Sequence, residues 1–306
     1  MPTRDVILGV LLAAAPALLG GQTAAPPQGP AAQLLPAEVS LVVRIDARAL
    51  AGSPLLPRLL EHPQADNPLV RAAAAPATLE DLEAIYVGVP STFTPASTEL
   101  PILVTGAFGV DDLVGELGRA RGVERQLLRG RPMLTGEGAR GATYALALRP
   151  GVLAFGDWDS VERMFEIAGG EREGLATSAA SAVEAAAGTR HVVGAGRVPA
   201  ALRDWLRAEG GALAAPFATI DRVSFDATLG RAVDVRASVQ PTTAEGRQAI
   251  EQALGALKLF GPSRFANDPD ALAAIQSLAV TSAGDRVEAR VTLTQGLLLR
   301  LLEGSV

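Results

Sequence analysis

Apolar and polar side chains alternate most regularly between residues 223 and 239. The apolar positions are Val223, Phe225, Ala227, Leu229, Val233, Val235, Ala237 and Val239. The polar positions between them are Ser224, Asp226, Thr228, Asp234, Arg236 and Ser238. A period of two residues is typical of a strand with one buried face. With Gly230 and Arg231 as the turn, the stretch predicts an antiparallel hairpin that faces water on one side.

A helix is predicted directly after this hairpin. Thr242 and Glu245 have the spacing of a capping box. An apolar stripe at helical spacing follows, formed by Ala249, Ile250, Ala253, Leu254 and Leu257. The same ββα order is predicted for residues 85–117, 143–168 and 277–302. A strand followed by a helix is predicted for residues 41–60 and again for residues 191–206.

These recurring units predict the fold class and the division of the chain. We expect an α+β fold of two similar halves, each βα-ββα-ββα, with an antiparallel sheet covered by helices on one face. Because the element order restarts near residue 190, we expect an internal duplication. The predicted segments are a signal peptide (1–23), a flexible tether (24–34), an N-terminal half (35–170), a linker (171–189) and a C-terminal half (190–306).

The first residues have the pattern of an export signal. Arg4 precedes the apolar run from Val6 to Leu19, which is too short to span a bilayer comfortably. Lys258 is the only lysine of the chain, a bias typical of a GC-rich genome. There is no cysteine, which excludes disulfides, thiolate metal sites and a lipid-modified N-terminal cysteine. The sequence therefore predicts a protein outside the cytoplasm, in the periplasm of a Gram-negative bacterium with a GC-rich genome.

Two stretches resemble a loose group of exported, uncharacterised bacterial proteins. The first is LLPAEVSLVVRIDARALAGSPLLPRLLE, residues 34–61, with its Leu-Pro-acidic start, its strand ending in Asp and its Ser-Pro within the next helix. The second is residues 102–157, with Gly106-x-Phe108, the basic turn Arg129-Gly130 and the strand VLAFGD. The resemblance covers about half of the chain, and it implies no activity.

Charge and histidine content argue against several kinds of site. The formal net charge is −6, which disfavours nucleic acid or an anionic membrane as a partner. The two histidines, His62 and His191, are far apart in sequence, and His191 has no second potential ligand at the spacing of a helical metal site. The sequence therefore predicts no metal.

Carboxylate pairs and glycine motifs have structural explanations. The carboxylates Asp111 with Asp112, Asp157 with Asp159, and Asp268 with Asp270 stand at predicted helix starts, where capping explains them. In particular, Asp159 is predicted to cap the helix that follows it. Gly194-Ala195-Gly196 lacks the acidic residue of a dinucleotide site, and Gly136-x-Gly138-x-x-Gly141 joins two predicted hairpin strands. We therefore expect neither an enzyme nor a cofactor.

Two functions remain, and both are non-catalytic. The first is a protein-interaction or envelope-structural module that binds an envelope protein or a second copy of itself, with no nucleic acid and no membrane span beyond the signal segment. Its predicted surface is Ser224, Asp226, Thr228, Asp234, Arg236, Ser238, Glu288, Arg290 and Thr292. The alternative is a carrier of an apolar ligand such as a lipid, in a cavity between sheet and helices. A carrier needs a mainly apolar and aromatic cavity, and only 4% of the residues are aromatic.

Overall fold

The computed structural model describes residues 30–53, 82–93, 100–109, 114–115, 117–138, 141–187, 190–209 and 214–303. Predictions for the signal segment, for Leu56 to Pro68 and for Asp111 with Asp112 lie outside the described residues. The strands are β1 (Val39–Asp46), β2 (Leu82–Pro90), β3 (Ile102–Gly106), β4 (Val123–Leu128), β5 (Arg131–Gly138), β6 (Gly141–Arg149), β7 (Val152–Gly156), β8 (Val192–Arg197), β9 (Ile220–Leu229), β10 (Ala232–Pro241), β11 (Ala279–Ala283) and β12 (Arg286–Thr294).

These strands form one sheet in the order β11-β12-β10-β9-β8-β1-β2-β3-β7-β6-β5-β4. Every neighbouring pair is antiparallel. The predicted α+β class with an antiparallel sheet is therefore confirmed. The strands β1 and β8 meet at the centre of the sheet, so the strands before residue 160 lie on one side of that contact and those after residue 190 lie on the other.

The predicted hairpin turning at Arg129-Gly130 is confirmed as β4 and β5. Both turn residues have positive φ angles, 47° for Arg129 and 84° for Gly130. A two-residue turn of this kind matches the twist of the flanking strands. The predicted hairpin from residue 223 to 239 is confirmed as β9 and β10.

The helices are α1 (Ala47–Ala51), α2 (Trp158–Ala168), α3 (Thr177–Ala187), α4 (Ala200–Glu209), α5 (Ala244–Arg264), α6 (Pro269–Ser277) and α7 (Gln295–Glu303), with 3-10 helices at Ala31–Leu34 and Ala215–Thr219. The first 3-10 helix lies within the predicted tether, and its Ala31, Ala32 and Leu34 are buried. Helix α3 lies within the predicted linker 171–189.

Two predicted helix caps are wrong by one or two residues. Asp157, not Asp159, caps α2, because its carboxylate accepts a hydrogen bond from the Ser160 amide at 3.2 Å. Thr243, not Thr242, caps α5 through a 3.0 Å bond from the Gly246 amide. Thr242 and Thr243 are neighbours, and Asp157 and Asp159 are two residues apart. Both members of each pair have side chains that can cap a helix, and the backbone conformation decides which one does.

The two faces of the sheet differ in how their composition changes from edge to edge. One row across the upper face is Val291, Val235, Ala227, Val192, Ile45, Ile85, Val104, Leu153 and Ala147. The adjoining row on the lower face is Arg290, Arg236, Asp226, Val193, Arg44, Tyr86, Leu103, Ala154, Leu146 and Met133. The upper row is therefore apolar from β12 to β6, whereas the lower row changes from charged to apolar across the centre of the sheet.

Helices cover both faces, so the prediction of helices on one face is wrong. Helix α1, through Leu50, packs on the upper face with Ile45 and Ile85. Helices α5, α6 and α7 also pack on the upper face, against the apolar positions of β10 and β12. Helices α2 and α3 lie on the lower face, in the core that contains Val42, Tyr86, Leu103 and Ala154. Strands β3, β6 and β7 are apolar on both faces, and such strands must be buried on both.

Helix α3 is attached to the lower face by a polar contact at the centre of the sheet. The Glu184 carboxylate accepts a hydrogen bond from the Tyr86 hydroxyl of β2 and forms an ion pair with Arg44 of β1 at 3.4 Å. Tyr86 is only 4% exposed. Burial raises the pKa of the Tyr86 hydroxyl above its ordinary value, and the bond to Glu184 raises it further. The hydroxyl therefore stays protonated and donates to Glu184.

Replacing Glu184 by Ala should lower the free energy of unfolding by about 1–2 kcal/mol, because the buried Tyr86 hydroxyl loses its acceptor. Urea denaturation measures the change. The matched control is Glu173→Ala, at an exposed position without an ion pair to another described residue. In the double variant Tyr86→Phe/Glu184→Ala, the loss should be smaller than the sum of the single losses. Additive losses would show that the two side chains are not coupled.

Helix α7 is held on the upper face by Arg300. This arginine binds Asp268 at 2.9 Å and Asp270 at 3.4 Å, and both carboxylates belong to the start of α6. Asp268 also caps α6 through a 3.1 Å bond from the Ala271 amide. The amide bond, and then Arg300, hold the pKa of the Asp268 carboxyl below its ordinary value.

A depressed carboxyl pKa predicts acid sensitivity at this contact. The stabilisation by Asp268 is present above the unfolded-state pKa of about 3.9 and is lost as the pH falls through the lower folded-state pKa. Asp268→Asn keeps a capping side chain but loses the charge, so it should be less stable than the parent at pH 7 and converge with it in acid. Urea midpoints between pH 7 and pH 2 measure this. A constant difference at every pH would contradict the assignment, and Asp159→Asn serves as the exposed control.

Candidate functional site

The nine predicted surface residues lie together on the lower face and form a grid on three neighbouring strands, β9, β10 and β12. The register places Thr228, Asp234 and Thr292 in one row. The second row is Asp226, Arg236 and Arg290, and the third is Ser224, Ser238 and Glu288. We call this grid the open face, because every one of these side chains is exposed or half-buried. Alternation in the sequence therefore placed the nine residues on a common face.

The row with two threonines is internally bonded. The Thr292 hydroxyl donates to the Asp234 carboxylate at 2.6 Å. Arg190, just before β8, approaches Asp226 at 3.1 Å and donates to the Thr228 hydroxyl at 3.3 Å. Two of the three carboxylates of the open face therefore already have partners within the chain.

The charges in the centre of the open face have no such partners. Among the described residues, none forms an ion pair with Arg236, Arg290 or Glu288. The register also places Arg236 directly opposite Arg290. Like charges in directly opposite positions destabilise an antiparallel pair. The fold therefore keeps two guanidinium groups side by side at the surface, with Asp226 opposite Arg236 on its other side.

A groove runs between the open face and helix α3. Ala182 and Ala186 of α3 form one wall, and the floor includes Ser224, Ser238 and Arg236. The groove has a volume of about 760 Å³. It adjoins a second groove of about 680 Å³ that shares Ala182, Ser224 and Ser238 with it and reaches Arg197. The alanines of α3 that line this wall are exposed, whereas Ala180, Val183 and Ala187 are buried against the sheet.

A further set of arginines, which the sequence analysis missed, extends the open face by one row. Arg197 of β8 pairs in register with Arg222 of β9, and Arg286 stands at the start of β12. Asp221 approaches Arg197 at 3.4 Å and Arg222 at 3.7 Å. Arg222 and Arg286 each stand two residues before a residue of the grid. Extending the period of two backwards along β9 and β12 would have identified both.

Close packing explains the glycines of β8. A Cβ at Gly194 would lie 2.3 Å from the Phe225 ring, and a Cβ at Gly196 would lie 2.2 Å from the Ser40 carbonyl oxygen. Both glycines stand within a strand of the antiparallel sheet, not at the start of a helix. Their role in the described structure is to let β8 approach β1 and Phe225.

The described residues offer no group of three or more His, Cys, Asp or Glu side chains placed to hold a metal ion. Within the same ranges, no helix has both the length and the apolar character needed to cross a membrane. The chemistry of the open face is therefore that of arginine, carboxylate and hydroxyl groups at a solvent-facing sheet.

The fold defines an α+β protein built on one wide antiparallel sheet, and one solved structure shares it. No protein-family model matches the chain, and no curated protein matches it. The chain is similar to the structure titled crystal form I of TP0453, with a TM-score of 0.54 and 12% sequence identity. The similarity covers 93% of this chain and 99% of that chain. At this level of identity the likeness shows the fold alone.

Arg290 of the open face and Arg190 beside it should respond differently to mutation. Arg290→Gln removes one of two like charges, so the free energy of unfolding should stay level or rise by about 0.2–1 kcal/mol. Arg190→Gln removes the partner of Asp226, so the free energy of unfolding of this variant should fall by about 1 kcal/mol. Urea denaturation of both variants measures the contrast. A clear loss of stability in Arg290→Gln would mean that this arginine has a structural role.

Proposed function

We propose that the protein is an exported, non-catalytic interaction module whose docking surface is the open face with its adjoining groove. The observation that carries the proposal is the change along the lower face. Helices α2 and α3 bury the apolar part, whereas the charged part over β9, β10 and β12 has no helix of the described chain packed on it. A partner can therefore reach Arg236 and Arg290, which form no ion pair with another described residue.

The alternative is a carrier of an apolar ligand such as a lipid. The groove volume of about 760 Å³ is within the range of small-molecule sites. The groove also carries Arg236, Arg290, Glu288 and Asp226, and burying an acyl chain against charged groups is unfavourable. A groove lined by both apolar and charged side chains suits a hydrated protein interface better, since such interfaces contain hydrogen bonds and water. We therefore favour the interaction module.

An internal duplication belongs to the proposal, and the strand order supports it. From the central contact outwards the order is β1-β2-β3-β7-β6 on one side and β8-β9-β10-β12-β11 on the other. The hairpin β4-β5 extends the first series only. The final helices depart from the repeat, because α2 lies on the lower face and α7 lies on the upper face. Under this proposal the open face occupies the position that a second α2 would cover.

Export to the periplasm and the absence of catalysis complete the proposal. The support for export is the sequence pattern of the first residues. The support for the absence of catalysis is that Asp157 and Asp268, which belong to two of the carboxylate pairs, serve as helix caps. N-terminal sequencing of protein from the native envelope tests the export. A cytoplasmic chain that still begins at Met1 would contradict it.

Native mass spectrometry and site-specific cross-linking test the docking surface. A photo-reactive amino acid at Ser238, in the centre of the open face, should cross-link a protein in the native envelope. The same amino acid at Gln126, an exposed position at the far edge of the sheet, should not. Native mass spectra of the purified protein should show that cross-linked partner or a homodimer. A lipid bound at near-unit occupancy with no protein would favour the carrier, and equal cross-linking at both positions would exclude the open face as the surface.

A further inference from the structure

We propose that the open face binds an acidic, extended polypeptide segment of the partner, which lies along the groove beside α3. This inference rests on the proposed interaction function and specifies the chemistry of the partner.

The charge of the groove is opposite to that of the whole chain. The two adjoining grooves are lined by six arginines and two carboxylates. The arginines are Arg190, Arg197, Arg222, Arg236, Arg286 and Arg290, and the carboxylates are Asp226 and Glu288. Asp226 is occupied by Arg190, and Asp221 partly neutralises Arg197 and Arg222 from outside the grooves. On a chain of net charge −6, this local excess of positive charge favours an acidic ligand.

The register of the sheet brings arginines together twice. Arg236 stands opposite Arg290, and Arg197 stands opposite Arg222. Like charges in opposite positions repel each other in the free sheet, and Asp221 offsets this repulsion in part for Arg197 and Arg222. Each pair also presents two guanidinium groups to one side, and a carboxylate that binds there removes the repulsion and gains charge-assisted hydrogen bonds. Both pairs therefore have the chemistry of a carboxylate site.

The distance between these sites indicates an extended polypeptide. On β12, Arg286 belongs to the row of Arg197 and Arg222, and Arg290 belongs to the row of Arg236. These two positions are four residues apart, which corresponds to roughly 13 Å along a strand. A single small anion cannot contact both ends. An extended peptide can place two acidic side chains at this separation, because residues i and i+4 of a strand point to the same side.

The row between the two arginine sites contains Ser224, Ser238 and Glu288. The serine hydroxyls can donate to peptide carbonyl groups, and the Glu288 carboxylate can accept from peptide amides. Glu288 also repels a third acidic group in the middle of the segment. The structure therefore favours two acidic ends separated by uncharged residues over a uniform polyanion such as a nucleic acid.

Fluorescence anisotropy with a labelled peptide of defined sequence tests this inference. The peptide Glu-Glu-Ser-Gly-Ser-Glu-Glu, whose second and sixth residues are acidic and four positions apart, should bind the full-length protein, with an affinity that falls as salt is raised. The same peptide with Gln in place of every Glu should not bind. Arg236→Gln/Arg290→Gln should weaken binding by roughly tenfold or more, since a hydrogen bond to a charged group contributes about 1.5–3 kcal/mol. Arg121→Gln, an exposed arginine outside the groove, should leave the affinity unchanged.

Three outcomes would overturn the inference. The first is equal affinity of the parent and the Arg236→Gln/Arg290→Gln variant, provided that the urea midpoint of the variant is not below that of the parent. The second is tighter binding of heptaglutamate than of the spaced peptide. The third is binding of vesicles of phosphatidylglycerol and phosphatidylethanolamine, or of inorganic phosphate, with no binding of either peptide.

These results are separable from the test of the proposed function. If Ser238 cross-links a protein whose contact segment is not acidic, the interaction function stands and the acidic-segment inference fails. If no protein cross-links at Ser238, the interaction function itself fails, whatever the peptides do.

Discussion

The pairing of β1 with β8 is the contact on which the whole sheet depends. Five residue pairs join these strands, from Leu41 opposite Gly196 to Ile45 opposite Val192. The approach is close enough that any side chain at Gly196 would collide with the Ser40 backbone. Without this pairing the chain would form two smaller sheets, each with an additional exposed edge. With it, α1 packs on the same face of one sheet as α5, α6 and α7.

The same central contact determines where the lower face stops being covered. Helix α3 packs on the lower face against β1 and β8. Its Glu184 holds it in place by contacts with Tyr86 of β2 and Arg44 of β1. Beyond α3 the lower face carries charge, and burying it under a helix would be costly without matched partners. Helix α7 instead packs on the upper face, where Leu297 meets an apolar surface. The open face is thus a result of composition and helix placement together.

Residue patterns predicted much of the fold, and the reasons for the errors are physical. The period of two identified β9, β10 and β12 and placed nine residues on one face correctly, because side-chain alternation fixes the face of a regular strand. The same alternation, when extended from β9 and β10 to the whole sheet, led to the prediction that helices cover only one face. That extension failed at β3 and β7, where Leu103, Val104, Ala154 and Phe155 are all buried. Continuous apolar runs of this kind belong to strands covered on both sides.

Other features depend on long-range contacts that no local pattern contains. The approach of Arg190 to Asp226 and the register of Arg236 with Arg290 join residues that are far apart in sequence. Caps were predicted to within two residues, since capping depends on a single backbone conformation among adjacent candidates. Arg222 and Arg286 were missed although the alternation extends to them, because the pattern was followed only across its most regular part.

The alanine wall of α3 has a consequence for how this protein can change over time. Ala182 and Ala186 line the groove but are exposed, so their side chains add little to the core. Ala180, Val183 and Ala187 of the same helix carry the packing against the sheet. Larger residues at the first two positions would narrow the groove without disturbing that packing. The shape of the groove can therefore diverge among descendants of this chain by substitution on one helix flank, while the architecture is inherited unchanged.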